Sequence, residues 1–446
     1  MKKAKFKMAG NGSGMEEVSE SSCFCAPVLK KDAGVVEGGF NTETQRRRGT
    51  EFKMTEIGLI PEDWEVKRLG DVLTIGNGKD YKHLRCGTIP VYGTGGLMTY
   101  VSEWLYDGAT VCIGRKGTID VPQYHEGKIW TVDTLYYTYG FKEVDIKFLY
   151  YLFLRIDWLS YNSATGVPSL TAKAIYDIEV ALPPLPEQKK IAEALSDVDE
   201  LLAAMTTLIE KKRAIKQGAM QELLGIRDEE LGIRNCVPRR RLPGFSGEWV
   251  EKRLGEIGEF IAGNGFPLNK QGGQSGKYPF FKVSDFNNVG NESALSIANN
   301  YISVSTFNKL HCSLIPSGSI VFAKIGAAIA LERKRRVCQD SCIDNNMMAF
   351  CVNKQNDERF VTECLRRIVF ADLVESTALP ALNVRKLRGY KIIVPENISE
   401  QKAIAEVLSD MDAEIEALEA KRAKYESIKQ GVMQELLTGK TRLKGA

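Results

Sequence analysis

The chain has 446 residues, enough for two or three domains with buried cores. Its 43% hydrophobic and 26% charged residues are those of a globular protein. No apolar run approaches the ~20 residues of a membrane span, and the basic N-terminus lacks the apolar stretch of a secretory signal, so a cytoplasmic protein without membrane contact is expected. Ten cysteines are scattered without a C-x-x-C pair beside three histidines (His83, His125, His311), which argues against a zinc site and for free, mostly buried thiols. Charge is uneven along the chain. Residues 55–186 carry 12 basic and 16 acidic side chains, net −4, whereas residues 240–399 carry 21 and 15, net +6. Only the second has the balance expected of a nucleic-acid partner.

In chain order, residues 1–53 are rich in Gly, Ser, Lys and Glu, show no sustained period, and are expected to form a disordered leader. A first globular region, 54–186, opens on Ile60–Gly70 (IPEDWEVKRLG). Within it Thr88–Gly96, Thr110–Gly117 and Trp130–Tyr139 read as strands punctuated by glycine, and Lys147–Ser160 as a helix. Pro168, Ser169 and Leu170 and then LPPLPEQ lead into a long helix, 187–224. Along it Ile191, Leu195, Val198, Leu202, Met205 and Ile209 recur at intervals of 4, 3, 4, 3 and 4, the seam of a coiled coil. A linker, 225–241, follows.

The plan then repeats. Region 242–399 opens on GEWVEKRLG, with Trp249 and Gly255 standing 185 positions after Trp64 and Gly70. Tyr278–Asp285, Ser319–Ala323 and Met347–Val352 read as strands and Glu358–Leu373 as a helix. Pro380, Ala381 and Leu382 and then VPENISEQ lead into a second long helix, 400–437, which lies 213 positions after the first; 438–446 is a tail. Here Ile404, Leu408, Met411, Ile415 and Leu418 repeat the seam, and Tyr425, Ile428, Val432 and Leu436 carry it onward. Two unrelated amphipathic helices would share periodicity, but these also share polar positions, such as Glu187 with Glu400 and Asp199 with Asp412. A helix of about 37 residues is ~55 Å long and cannot bury its seam on one small domain, so the two helices are expected to bury each other.

The search for catalytic chemistry is mostly negative. Gly273–Lys277 lacks the first glycine and the Ser/Thr of a phosphate-binding loop, and Gly76-Asn77-Gly78 and Gly263-Asn264-Gly265 lack the rest of a dinucleotide fingerprint and read as turns. Glu65-Val66-Lys67 and Val250-Glu251-Lys252 could suggest a metal-dependent nuclease, but no acidic strand precedes them and alternating charge on an edge strand explains them as well. The amino-methyltransferase loop, Asp/Asn-Pro-Pro-Tyr/Phe, does not occur. What remains is basic residues among aromatics and amides: Lys79, Tyr81, Lys82, His83 and Arg85; Arg115 and Lys116; Lys282, Asn287 and Asn288; and the densest run, Arg333, Lys334, Arg335 and Arg336. Each alone is an ordinary solvated surface. Their presence in both variable centres favours contacts to double-stranded DNA, with arginine bidentate to guanine or salt-bridged to phosphate.

The opening FKMTEIGLIPEDWEVKRLGD, the junction PLPEQKKIAEALSDVDELL, the helix end KQGAMQELL and their tandem recurrence resemble a type I restriction-modification specificity subunit, over Phe52–Leu443. The resemblance implies an α+β fold, with two target-recognition domains of mixed α/β type joined by two helices in an antiparallel coiled coil. It also implies a non-catalytic role in reading DNA beside methylation subunits, two of them, and restriction subunits. S-adenosylmethionine, ATP and Mg would belong to those partners, with no cofactor or metal on this chain. The recognition centres differ, so the target is expected to be gapped and asymmetric. Two other classes compete: a scaffold that has lost DNA binding, which would give no sequence-dependent shift with its partner, and a self-sufficient modifying enzyme, which would methylate alone.

Overall fold

Leu185–Leu223 and Ile398–Leu436 are the two long helices of the computed structural model, which describes residues 51–225, 238–375 and 380–443. The leader up to residue 50 and most of the 225–241 linker lie outside the described residues. The helices run antiparallel. Lys216 Nζ lies 2.6 Å from the Asp412 carboxylate, and Lys429 of the second helix pairs with Asp199 of the first. Each residue of one pair has its sequence equivalent in the other, so the two contacts are related by a pseudo-twofold axis.

Most of the seam is buried, partly against the globular regions. Ile191, Leu195, Leu202, Met205, Ile209, Ile404, Leu408 and Ile415 are buried, and Val198, Met411 and Leu418 are half-buried. Ile428 departs from the expected seam: it is 44% exposed, whereas Met433 is buried. Towards its C-terminus the second helix turns its apolar side from its partner helix to the first globular region, whose core takes in Met433, Leu436 and Leu437 together with Ile191 and Leu195. The second region mirrors this, combining Ile404, Ala405 and Leu408 with Met220, Leu223 and Leu224. Each region is therefore gripped by the start of its own helix and the end of the other, and the two regions sit at opposite ends of the helix pair.

The repeated Glu-Gln at each helix start is the bolt. Glu187 and Glu400 are buried, and each accepts a hydrogen bond from a tryptophan indole at 3.3 Å, Trp64 and Trp249 respectively. A buried carboxylate needs a partner charge. Arg442, from the tail after the second helix, reaches Glu187 at 2.6 Å, and Arg241, before the second region, reaches Glu400 at 2.7 Å. The adjacent glutamines saturate backbone groups: Gln188 accepts from Asp145 N–H and donates to Pro183 and Glu143 carbonyls, while Gln401 accepts from Asp357 N–H and donates to the Pro395 carbonyl.

Each region also contains a matched sheet. In the first the order is Thr74–Asn77, Leu135–Tyr139, Thr110–Gly114, Gln123–His125; in the second it is Gly258–Ala262, Met347–Val352, Ile320–Ala323, Lys334–Val337, extended by Ala294–Leu295. A further sheet holds Cys86–Gly93 parallel to Lys128–Thr131 in one region and Tyr278–Phe281 parallel to Cys342–Ile343 in the other. The single strand expected over Trp130–Tyr139 is two strands in different sheets, broken by a turn in which Leu135 N–H donates to the Val132 carbonyl at 2.9 Å. Alternation of side chains carries no mark of such a change of sheet. Likewise the expected Tyr278–Asp285 strand ends at Phe281 and continues as a 3-10 turn, Val283–Asn287.

Candidate nucleic-acid interface

In the first region that turn gathers segments remote in sequence. Lys79 N–H donates to the Thr131 carbonyl (2.8 Å), Val132 N–H to the Tyr92 carbonyl (3.0 Å), and Arg115 N–H to the Thr134 carbonyl (2.8 Å). Gly78 permits the approach, since a Cβ there would stand 1.9 Å from the Val132 carbonyl oxygen; Gly263 meets Asp344 at the same distance in the second region. The two basic segments singled out in this region are thus brought to one place. Lys79, Lys82, His83, Arg85, Arg115 and Lys116 are exposed and Tyr81 is half-buried. The Arg115 guanidinium lies 5.9 Å from the Tyr136 ring centre and donates weakly to the Asp133 carbonyl at 3.4 Å. His83 meets the edge of Trp130 at 6.0 Å, and that indole donates to the Lys79 carbonyl at 2.8 Å.

A cleft of about 500 Å³ opens beside them, between Asp80–Lys82, Gly93–Met98 and Val132–Thr134. Its chemistry suits base edges: the Lys82 ammonium as a donor for guanine, the exposed Asp80 and Asp133 carboxylates for the cytosine amine, and the exposed Leu97 and Met98 for a thymine methyl. Exposed carboxylates are hydrogen-bond acceptors, so a net −4 is compatible with a DNA partner. Leu97, Met98 and Asp133 line this cleft without standing out in the sequence, because neither apolar residues on a strand nor a lone aspartate carry a charge-run signal.

The second region treats its candidates differently. Lys334 is 3% exposed; its ammonium donates to the Ile368 carbonyl at 2.6 Å, pairs with Glu332 and lies 4.0 Å from the Phe370 ring centre. It is a core residue and not a phosphate contact, because its proton donors are consumed inside the fold and burial pulls its pKa below the ordinary lysine value. Arg335 donates to the Phe286 carbonyl (2.6 Å) and stacks on that ring, and Arg333 donates to the Asn287 side chain (2.6 Å). Arg336 is half-buried. The expected surface run is strand Lys334–Val337, flanked on both sides within its sheet, with Lys334 and Val337 buried and Arg335 and Arg336 half-buried. Lys282 donates to the Gln271 side chain (2.8 Å), and Asn288 donates to the Ile297 carbonyl (3.0 Å), so both serve local loops.

Among the described residues no group of three or more His, Cys, Asp or Glu is placed to hold a metal ion, and no helix is long and apolar enough to cross a membrane. Lys67 is held by Glu143 at 2.7 Å and Glu65 at 3.0 Å, and Lys391 pairs with Glu251, so the nuclease-like segments are ion-paired strands. The seven described cysteines are free, and burial pushes the Cys112 and Cys364 thiols up to about 12.

Comparison with known proteins agrees with this architecture. The sequence matches the type I restriction modification DNA specificity domain twice, over residues 61–214 and 246–427. It is 27% identical over 438 residues to the type I restriction enzyme MjaVIII specificity subunit of Methanocaldococcus jannaschii, covering 88% of this chain and 96% of that one. It is 28% identical over 166 residues to the EcoDI specificity subunit of Escherichia coli, covering 36% of each. The fold is similar to that of the type I restriction-modification S subunit from M. genitalium, with a TM-score of 0.57 at 15% identity over 84% of this chain and 96% of that one. A chain from a structure of complex assembly and conformational transition in the type I R-M system gives 0.50 at 15% identity, over 86% and 99%. Two copies of one domain on an antiparallel helix pair, with no complete catalytic motif in the sequence, are what this match leads one to expect, and the chain belongs to the type I restriction modification DNA specificity family, as a non-catalytic subunit that recognises DNA sequence.

Proposed function

We propose that this subunit reads a gapped, asymmetric, bipartite duplex target, one half with each globular region, and that it works in the cytoplasm. The observation that carries this reading is the placement of two similar domains with different surfaces at opposite ends of one helix pair. A 39-residue helix spans about 58 Å, so the domains meet DNA at points roughly 50 Å apart, between one and one and a half turns at ~34 to 36 Å per turn. The intervening DNA goes unread. The pseudo-twofold repeat of the helix junctions offers two equivalent docking faces for two methylation subunits, and restriction subunits complete the assembly. S-adenosylmethionine, ATP and Mg are held by those partners, and this chain supplies position.

The helix pair is the ruler, and lengthening it tests the reading. Thr206 and Arg422 face each other at 2.9 Å. One heptad inserted after Met205 and one after Arg422 keep both seams and add about 10 Å, which corresponds to about three base pairs at ~3.4 Å each. The expected methylome shows both half-sites unchanged and the gap enlarged by about three base pairs. A doubly extended chain that folds, directs methylation and keeps the original gap would overturn the ruler.

A further inference from the structure

Four backbone contacts that present Arg115 recur in the second region. Arg115 N–H donates to the Thr134 carbonyl (2.8 Å), its own carbonyl accepts from Leu170 N–H (2.9 Å), Lys116 bridges to Ser169, and Gly117 N–H donates to the Pro168 carbonyl (2.9 Å). In the second region Lys324 N–H donates to the Asn346 carbonyl (2.8 Å), its carbonyl accepts from Leu382 N–H (2.9 Å), Ile325 bridges to Ala381, and Gly326 N–H donates to the Pro380 carbonyl (2.8 Å). Both glycines hold a positive φ, +102° at Gly117 and +87° at Gly326, so the chain leaves each site in a conformation that favours glycine. Lys324 therefore stands where Arg115 stands, and Asp344, Asn345 and Asn346 stand where Val132, Asp133 and Thr134 form the gathering turn.

The side chains there are available in a way those of the basic run are not. Lys324 is half-buried, and its ammonium makes no ion pair or hydrogen bond among the described residues. Asn345 and Asn346 are exposed, and the Asn345 amide is likewise unengaged among the described residues. Lys334 and Arg335 spend their donors on backbone carbonyls. A phosphate contact tolerates a loose tether, whereas reading a base edge needs a side chain whose Cα is fixed, and Lys324 is fixed by hydrogen bonds on both sides of its peptide.

We propose that Lys324 and Asn345 form the base-reading edge of the second region, the counterpart of Arg115 and Asp133 in the first. The ligand is a purine edge in the major groove of duplex DNA: lysine donates to guanine O6/N7, and asparagine pairs with adenine N6/N7. The inference rests on the two-domain recognition role set out above.

The test uses the full chain purified with its methylation partner, as wild type, Lys324→Ala, Asn345→Asp and Arg115→Ala. Methylome sequencing gives the motif, and binding to duplexes with single base-pair changes is measured across salt. Lys324→Ala and Asn345→Asp are each expected to relax discrimination about ten-fold at one position of one half-site, leaving the other half intact. Arg115→Ala should do the same in the opposite half. An unchanged motif overturns the assignment, as does weaker binding that is equal on every sequence with the salt slope reduced by about one, the signature of a phosphate contact. Should Lys324→Ala fail to fold, the exposed Asn345→Asp decides alone. A wild-type complex with no sequence preference would sink the recognition role itself, whereas a discriminating wild type beside indifferent variants sinks only this inference.

Discussion

At the start of each long helix the two regions are held alike: Trp64 and Trp249 donate to Glu187 and Glu400 over the same 3.3 Å, and Arg442 or Arg241 closes the cluster. At the opposite face they diverge. The first region presents a cleft with exposed carboxylates and apolar residues, whereas the second adds residues and an extra strand, Ala294–Leu295, and turns Lys334 of its densest basic run into core. The frame is constrained on every side, because each of its buried charges needs its particular partner. The candidate face is held mainly by backbone hydrogen bonds and a few glycines, which leave the exposed side chains between them free to differ.

The largest expected effect tests the shared frame. Leu195 and Leu408 are fully buried where helix meets domain, and Leu195→Ala and Leu408→Ala should each cost about 2–5 kcal/mol. Chemical denaturation should find the two costs similar. A large loss at one and none at the other would show that the ends are not equivalent.

A second pair sharpens the difference between the ends. Lys216 sits between Asp412 at 2.6 Å and Glu363 at 3.4 Å, and the Glu363 side chain is 8% exposed. Lys216→Met leaves Glu363 and Asp412 to Arg366 alone, which pairs with them at 2.6 and 3.0 Å, and should cost on the order of 2 kcal/mol. Lys429→Met leaves Asp199 36% exposed and still accepting from the Tyr151 hydroxyl at 2.8 Å, so about 1 kcal/mol is expected. Equal costs in denaturation would mean that the extra charges at the second end add nothing.

The smallest effect is a pH dependence confined to the first region. His125 stacks on Tyr92 at 3.7 Å, and burial lowers its pKa to about 4. The unfolded value is ~6.5, so the unfolded chain binds the proton more tightly. Stability is full above about pH 6.5 and declines as pH falls towards 4. His311, in the second region, is exposed. The thermal midpoint of wild type should fall between pH 7 and pH 5 by more than that of His125→Gln; parallel falls would remove the histidine from the account.

Much of the frame was legible in the chain. The 213-residue recurrence of Glu187–Leu224, its 4-3 apolar spacing and the paired tryptophans announced two domains and a helix pair, because periodicity and repetition are properties of order along the chain. The candidate interface was legible only in part. Lys79–Arg85 and Arg115–Lys116 could be picked out as basic, but nothing in their sequence says that they meet at one turn. Lys324 escaped altogether: it follows Arg115 by 209 positions, where the flanking offsets are 185 and 213, so no single alignment shift finds it.

By itself, then, the sequence determined which segments are equivalent, where the long helices lie and which of their faces is apolar, since these follow from local preference and from the cost of leaving a seam in water. Tertiary structure alone decided which charges are spent and which remain to meet a partner. Lys334 and Lys324 are chemically identical as letters. One is buried beneath Phe370 with a carbonyl at 2.6 Å, the other stands half-exposed at the end of a buried strand, and that difference is set by packing between residues far apart in the chain.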